Sequence, residues 1–111
     1  MKIETEDYSI ETNDQQVIIK GALRLQSPTA YDKPFESIRE AITNKQDGLH
    51  VDISDLNFLN SSGVTSLARL VLDARKADVG FTLLCSEDIP WQSKTVSSLG
   101  KLNPKLTINF K

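Results

Sequence analysis

Four consecutive residues, Asn60-Ser61-Ser62-Gly63, concentrate an amide, two adjacent hydroxyls and a glycine at one point of the chain. They stand between a short apolar run and the amphipathic segment that follows, within DLNFLNSSGVTSLARLVLDARK. Asn, Ser and Gly are all competent at a helix amino terminus, where a side-chain oxygen accepts a hydrogen bond from an otherwise unpaired backbone N–H. Asn60 or Ser61 is the expected cap. In purely structural terms one hydroxyl caps, the other is solvated, and Gly63 lets the backbone turn closely against its neighbours. The same position also suits chemistry, because the positive end of a helix favours a negative group at its first turn. A phosphoserine there, with about −1.5 to −2 charges and three acceptor oxygens, would leave folding intact while changing the surface a partner meets. The pattern fits a reversible switch.

Other reactive residue types are sparse. The single His50 falls in the middle of a strand-like run, where a hydrogen-bonded or partly exposed structural histidine is the expectation. Ser61 has no Gly-x-Ser-x-Gly elbow around it, and one histidine on another strand is thin support for a triad, so an enzyme is not expected. With one Cys and one His, no clustered His/Cys metal site can be assembled, and no internal disulfide is possible. No cofactor is implied. Cys85 reads as a small apolar residue at a strand end. Trp91, after Pro90, is either an exposed anchor or a packed cover for the sheet edge. Asn60-Ser61-Ser62 matches the N-glycosylation acceptor pattern, a reading that requires a secretory route for which the chain carries no signal.

The elements that must hold the Asn-Ser-Ser-Gly turn can be read from hydrophobic period. At 111 residues the chain is long enough for one domain with a sizeable core, and it is expected to form a single domain over 1–111. Hydrophobic residues make up 39% and charged residues 25%, and the net charge of −2 gives no reason to expect nucleic acid as a partner. No basic, apolar and small-residue succession opens the chain and the apolar runs are short, so neither a signal peptide nor a direct membrane span is expected and the protein reads as cytoplasmic.

Tyr8 and Ile10 alternate with polar residues, and after the turn Thr12–Gln16 the run Val17-Ile18-Ile19-Lys20 completes a hairpin. Gly21 marks a bulge or a close backbone approach, Leu23 and Leu25 resume the alternation, and Ser27-Pro28-Thr29 ends it. Tyr31, Phe35, Ile38, Ala41 and Ile42 recur at helical spacing, opposite Glu36, Arg39, Glu40 and Lys45. Pro34 is tolerated only in a first turn, which sets the start near Tyr31 to Lys33. Asp47-Gly48 closes this helix. Leu49–Ile53 reads as a strand and Asp55–Asn60 as a short connection. A second helix over Ser62–Ala77 buries Val64, Leu67, Ala68, Val71 and Ala74, with Arg75 on that side and Leu70 and Leu72 widening it. Asp78–Gly80 turns the chain. Phe81–Cys85 is a near-continuous apolar run suited to a central strand covered on both faces. Ile89–Leu99 is weakly helical, and Leu106, Ile108 and Phe110 alternate as an edge strand. The fold class is α/β, a single-domain mixed β-sheet backed by helices in the order ββαβαβαβ.

The segment VDISDLNFLNSSGVTSLARLVLDARK resembles the core of the STAS domains, which are shared by anti-sigma factor antagonists and sulfate-transporter tails. In that family a strand with an apolar-Asp-apolar pattern leads through a short loop to Asp-Ser-Ser/Thr-Gly and an apolar helix. IIKGALRL is similar to the family's second strand with its glycine, SPTAYDKPFESIREAI to the following helix, and the element order is the family's. The resemblance implies that Ser61 is the phosphorylated residue, with Ser62 the second choice, and that Asn60, Ser61, Ser62 and Gly63 meet the partner. It implies a regulatory protein partner, a serine kinase that also acts as an anti-sigma factor, bound when Ser61 is unmodified and released on phosphorylation, with a phosphatase to reverse the change. Val64 and Leu67 neighbour that surface, although such helix positions more often belong to the core. Two departures stand out: Asn60 where the family has Asp, and Arg24 where an acidic residue is common. Both remove negative charge near the switch. The alternatives are a non-phosphorylated STAS subunit of a transporter or lipid-trafficking complex, and a module holding a nucleotide phosphate at the helix terminus, which no Gly-rich loop with Lys supports.

Overall fold

Buried residues alternate with less buried ones along residues 16–20, 49–53 and 81–85, and strand pairing lines them up into a covered face and an open face of one sheet. In a computed structural model, which describes residues 2–13, 16–44 and 48–111, the strands are Lys2–Glu4 (β1), Tyr8–Thr12 (β2), Gln16–Leu23 (β3), Leu49–Leu59 (β4), Phe81–Cys85 (β5) and Leu106–Phe110 (β6). They form one sheet in the order β1-β2-β3-β4-β5-β6. The β1–β2 and β2–β3 pairs are antiparallel and the remaining three are parallel. Val17 pairs with Val51, Val51 with Leu83 and Leu83 with Ile108, which places one apolar residue from each of β3, β4, β5 and β6 on the same face. Helices Glu36–Asn44 (α1), Ser61–Ala77 (α2) and Pro90–Leu102 (α3) supply Ile38, Ala41, Ile42, Leu67, Leu70, Val71, Ala74, Val96 and Leu99 to the core that covers it. The architecture is thus a mixed six-stranded sheet with three helices, in the STAS-like arrangement expected.

The structure adds to the sequence reading in four places. β1 precedes the expected series, and its three residues are too few to show a period. The connection expected over Asp55–Asn60 is strand: β4 runs without a break to Leu59, paired along β3 by Lys20–Asp55 and Leu23–Leu59. Two extra residues in β4, one between Asp52 and Asp55 and one between Leu56 and Phe58, shift its register and break the alternation that would have announced it. The Asp52 carboxylate holds the first irregularity by accepting from Ser54 N at 2.9 Å and Ser54 Oγ at 2.6 Å. Regular helix in α1 begins at Glu36, after a 3-10 turn over Pro28–Tyr31 that Ser27 caps, so Pro34 lies ahead of the helix. β5 is covered on one face only, since Thr82 and Leu84 are half-buried. The edge position of β6 is as expected.

Gly21 has φ +93°, and a Cβ there would lie 2.2 Å from the Asp7 carbonyl oxygen, which itself accepts from Ala22 N. This is the close backbone approach its place in the strand predicts. Asp47, expected to help close the first helix, and Lys45 lie outside the described residues, as does part of the Thr12–Gln16 turn. Among the described residues no helix is long and apolar enough to cross a membrane, and no group of three or more His, Cys, Asp or Glu is placed to hold a metal.

Candidate functional site at the start of α2

Because β4 and β5 run parallel and both feed helices, the amino termini of α2 and α3 emerge at the same end of the sheet. The Asn60-Ser61-Ser62-Gly63 turn is the first of these. Asn60 is the cap: its backbone is extended, and its Oδ1 accepts from Gly63 N at 3.0 Å. The same Oδ1 accepts from the Tyr31 hydroxyl at 2.6 Å, and Nδ2 donates to the Leu25 carbonyl at 2.8 Å. The amide orientation is fixed by chemistry, because Gly63 N can only donate and Leu25 O can only accept. The Asn60 backbone N–H donates to Leu23 O, and the Tyr31 hydroxyl accepts from Leu25 N at 3.3 Å. One side chain therefore ties the end of β3, the 3-10 turn and α2 together. Tyr31 is fully buried, and that burial raises its phenol above the usual value, opposed in part by the Leu25 hydrogen bond.

This network leaves Ser61 out. It is exposed at the first position of α2, and among the described residues its hydroxyl makes no hydrogen bond, while its carbonyl accepts from Thr65 Oγ1 at 3.1 Å. Ser62 is half-buried and Gly63 fully buried. A Cβ on Gly63 would fall 2.3 Å from Leu59 Cδ1 and 2.7 Å from the Tyr31 hydroxyl, so the glycine is what lets the helix start against both. Of the two neighbours expected at the contact surface, Val64 is half-exposed and Leu67 is core. Arg24 follows β3 directly, and its guanidinium carbon lies 4.7 Å over the ring of Phe58, which is 39% exposed.

The helix expected over Ile89–Leu99 does begin there, at Pro90, but sequence reasoning missed what its amino terminus does for β4. Past Asp52, β4 loses β5 as a neighbour, and its carbonyls need other donors. Gln92, fully buried, donates from Nε2 to Ile53 O at 2.6 Å and Leu56 O at 3.0 Å, while its Oε1 accepts from Ser86 N. Trp91 Nε1 also donates to Leu56 O, which makes Trp91 a packed cover rather than a free anchor. The only available signal was a polar residue following Pro-Trp at a helix start. His50 is exposed on the open sheet face, between Gln16 and Thr82. Cys85 is fully buried, and burial first, with the Asp52 carboxylate second, pushes its thiol up to about 11, so it is no nucleophile at neutral pH.

Two depressions flank α2. One, toward α1, is lined by Asp32, Arg39, Ser66, Arg69 and Asp73, with both signs of charge present. The other, toward α3, is mostly apolar and contains Val64, Ala68, Leu99 and Leu102.

No protein-family model matches the chain, and no curated protein matches it in sequence. Among solved structures, the fold is similar to that of SiaC in the crystal structure of the diguanylate cyclase SiaD in complex with its activator SiaC from Pseudomonas aeruginosa. The alignment covers 100% of this chain and 99% of that one, with a TM-score of 0.75 and 12% sequence identity. At that identity the likeness is one of fold.

Proposed function

We propose that the chain is a non-enzymatic protein-interaction module whose binding is switched by phosphorylation of Ser61. The observation that carries this reading is the division of labour at the start of α2: Asn60 does the capping, and the Ser61 hydroxyl stands exposed over the positive end of a 17-residue helix with no structural task. A phosphate on Ser61 would disturb none of the bonds that hold the turn, and the helix end favours its charge. At the centre of a docked surface the same dianion would have to be desolvated, which without an opposing cation costs several kcal/mol. About 1.4 kcal/mol is tenfold in affinity, so a part of that cost separates bound from free.

The partner is a regulatory protein. The resemblance to anti-sigma factor antagonists points to a serine kinase of anti-sigma type, with a phosphatase restoring the unmodified form. The structural neighbour, an activator solved in complex with a diguanylate cyclase, supports a regulatory enzyme as the class of partner for this fold. Intact-mass measurement of protein recovered from its native cells, with mapping of any phosphate to Ser61 or Ser62 and identification of the co-purifying protein, tests the reading. Ser61→Asp should fold normally and bind that protein weakly, and Ser61→Ala should bind it and resist modification. Equal affinity of both variants and the unaltered chain would overturn the switch.

A further inference from the structure

Charge on the helical layer is unevenly placed. Although the chain carries a net −2, α3 has two lysines, Lys94 and Lys101, and no carboxylate. α2 has Arg69, Arg75 and Lys76 against one carboxylate, Asp73, and Asp73 lines the depression on the opposite flank together with Arg69. The apolar groove between α2 and α3 is therefore lined by Lys94 and by no carboxylate, and Arg75 reaches its far end through the Leu102 carbonyl. Ser61, Val64 and Ala68 fall three and four residues apart and share one stripe of α2, with Ser61 at its head.

The groove is also held open at both ends. At the carboxyl ends of the two helices, Arg75 Nη1 donates to Leu102 O and the buried Asn103 donates from Nδ2 to Val71 O. At the amino end, Trp91 and Gln92 fasten α3 to β4. A partner entering it does not have to order the walls first, which lowers the entropy cost of docking.

We infer that this groove is the docking site of an acidic amphipathic helix supplied by the regulatory partner. Two helices that start at the same end of the sheet, with the small residues Ala68 and Ser98 lining the groove between them, accept a third helix laid along them, reading apolar residues at i, i+3, i+4 and i+7. Carboxylates on the flank of that helix meet Lys94 and the positive charge of α3, which carries no carboxylate of its own. The inference rests on the Ser61 switch only for its regulation: a dianion at the head of the stripe would repel the carboxylates that the lysines attract.

The test is a selection of helical peptides, displayed as a library of random net charge, on the purified full chain. Enriched peptides should be net acidic with the stated apolar spacing, and amide chemical shifts should move at Val64, Ala68 and Leu102. The exposed pair Lys94→Glu and Lys101→Glu, checked for native circular dichroism, should weaken them about tenfold or more. No enrichment, enrichment of net basic peptides, or shift changes elsewhere would overturn the groove. The two readings fail separately. If acidic peptides map to the groove but Ser61→Asp leaves their affinity unchanged, the groove stands without the switch; if Ser61→Asp releases the native partner while the peptides map elsewhere, the groove falls.

Discussion

The Tyr31 hydroxyl donates a 2.6 Å hydrogen bond to Asn60 Oδ1, so the 3-10 turn after β3 and the start of α2 are fastened through one buried phenol. Tyr31→Phe removes that donor and also the acceptor of Leu25 N, leaving two partly buried groups short of a partner. A loss of about 1–3 kcal/mol in urea unfolding is expected, with faster amide exchange at Leu25 and Gly63. A loss below about 0.5 kcal/mol would mean that water replaces both bonds and that the phenol does not fix the turn.

Placing at position 60 the acidic residue common in STAS domains should not help this protein. In Asn60→Asp one carboxylate oxygen keeps the bonds from Gly63 N and Tyr31, but the other replaces Nδ2 and faces the Leu25 carbonyl oxygen, now 2.8 Å away across an acceptor–acceptor contact. The carboxylate gains about 0.3–1 kcal/mol from the helix end, against about 1–3 kcal/mol for the buried groups left mismatched. The larger cost decides the sign: the variant should be about 1 kcal/mol less stable by urea denaturation. Equal or greater stability would show that the Leu25 contact carries no weight.

That amide is an instance of what sequence could and could not announce. Periodicity named the helices and most strands, because alternation and the 3.6-residue period survive wherever one face is buried. It named the first half of β4 but failed in the second, where two inserted residues shift the phase, and at β1, which is too short to have one. Ser61, Ser62 and Gly63 were legible because cap chemistry is local. Asn60's bonds to Tyr31 and Leu25 and Gln92's to Ile53 and Leu56 were not, since each joins groups 29 to 39 residues apart, and Gln92's also depend on which carbonyls a neighbouring strand leaves unpaired.

Alkaline pH gives a separate check on the core. The Cys85 thiol titrates near its ordinary value of 9.0 when unfolded and is pushed up to about 11 by burial. Between these values the unfolded chain has lost a proton that the folded chain keeps, so stability falls as pH rises, by at most about 1.4 kcal/mol per pH unit. The contribution is fully present below pH 9 and lost toward pH 11. Tyr31, raised above 10.0, acts in the same direction. Cys85→Ala removes only the thiol part, so its stability deficit relative to the unaltered chain should shrink across this window. A constant deficit would place the thiol in contact with water.

Gly63 decides whether α2 can begin at Ser61. Within a helix, Gly→Ala ordinarily gains about 1 kcal/mol. Here the new methyl would sit 2.3 Å from Leu59 Cδ1 and 2.7 Å from the Tyr31 hydroxyl, both on buried side chains, and overpacking of this kind costs about 1–3 kcal/mol. Gly63→Ala should therefore be destabilised by about 1 kcal/mol, with the Tyr31–Asn60 bond lengthened. Leu59→Ala should relieve part of that loss when combined with it, because it removes the nearer contact, whereas Tyr31→Phe in the same background should relieve the other. If Gly63→Ala is instead stabilised by the full helix-propensity gain, the start of α2 is soft. The rigid presentation of Ser61 would then have to come from Asn60 alone.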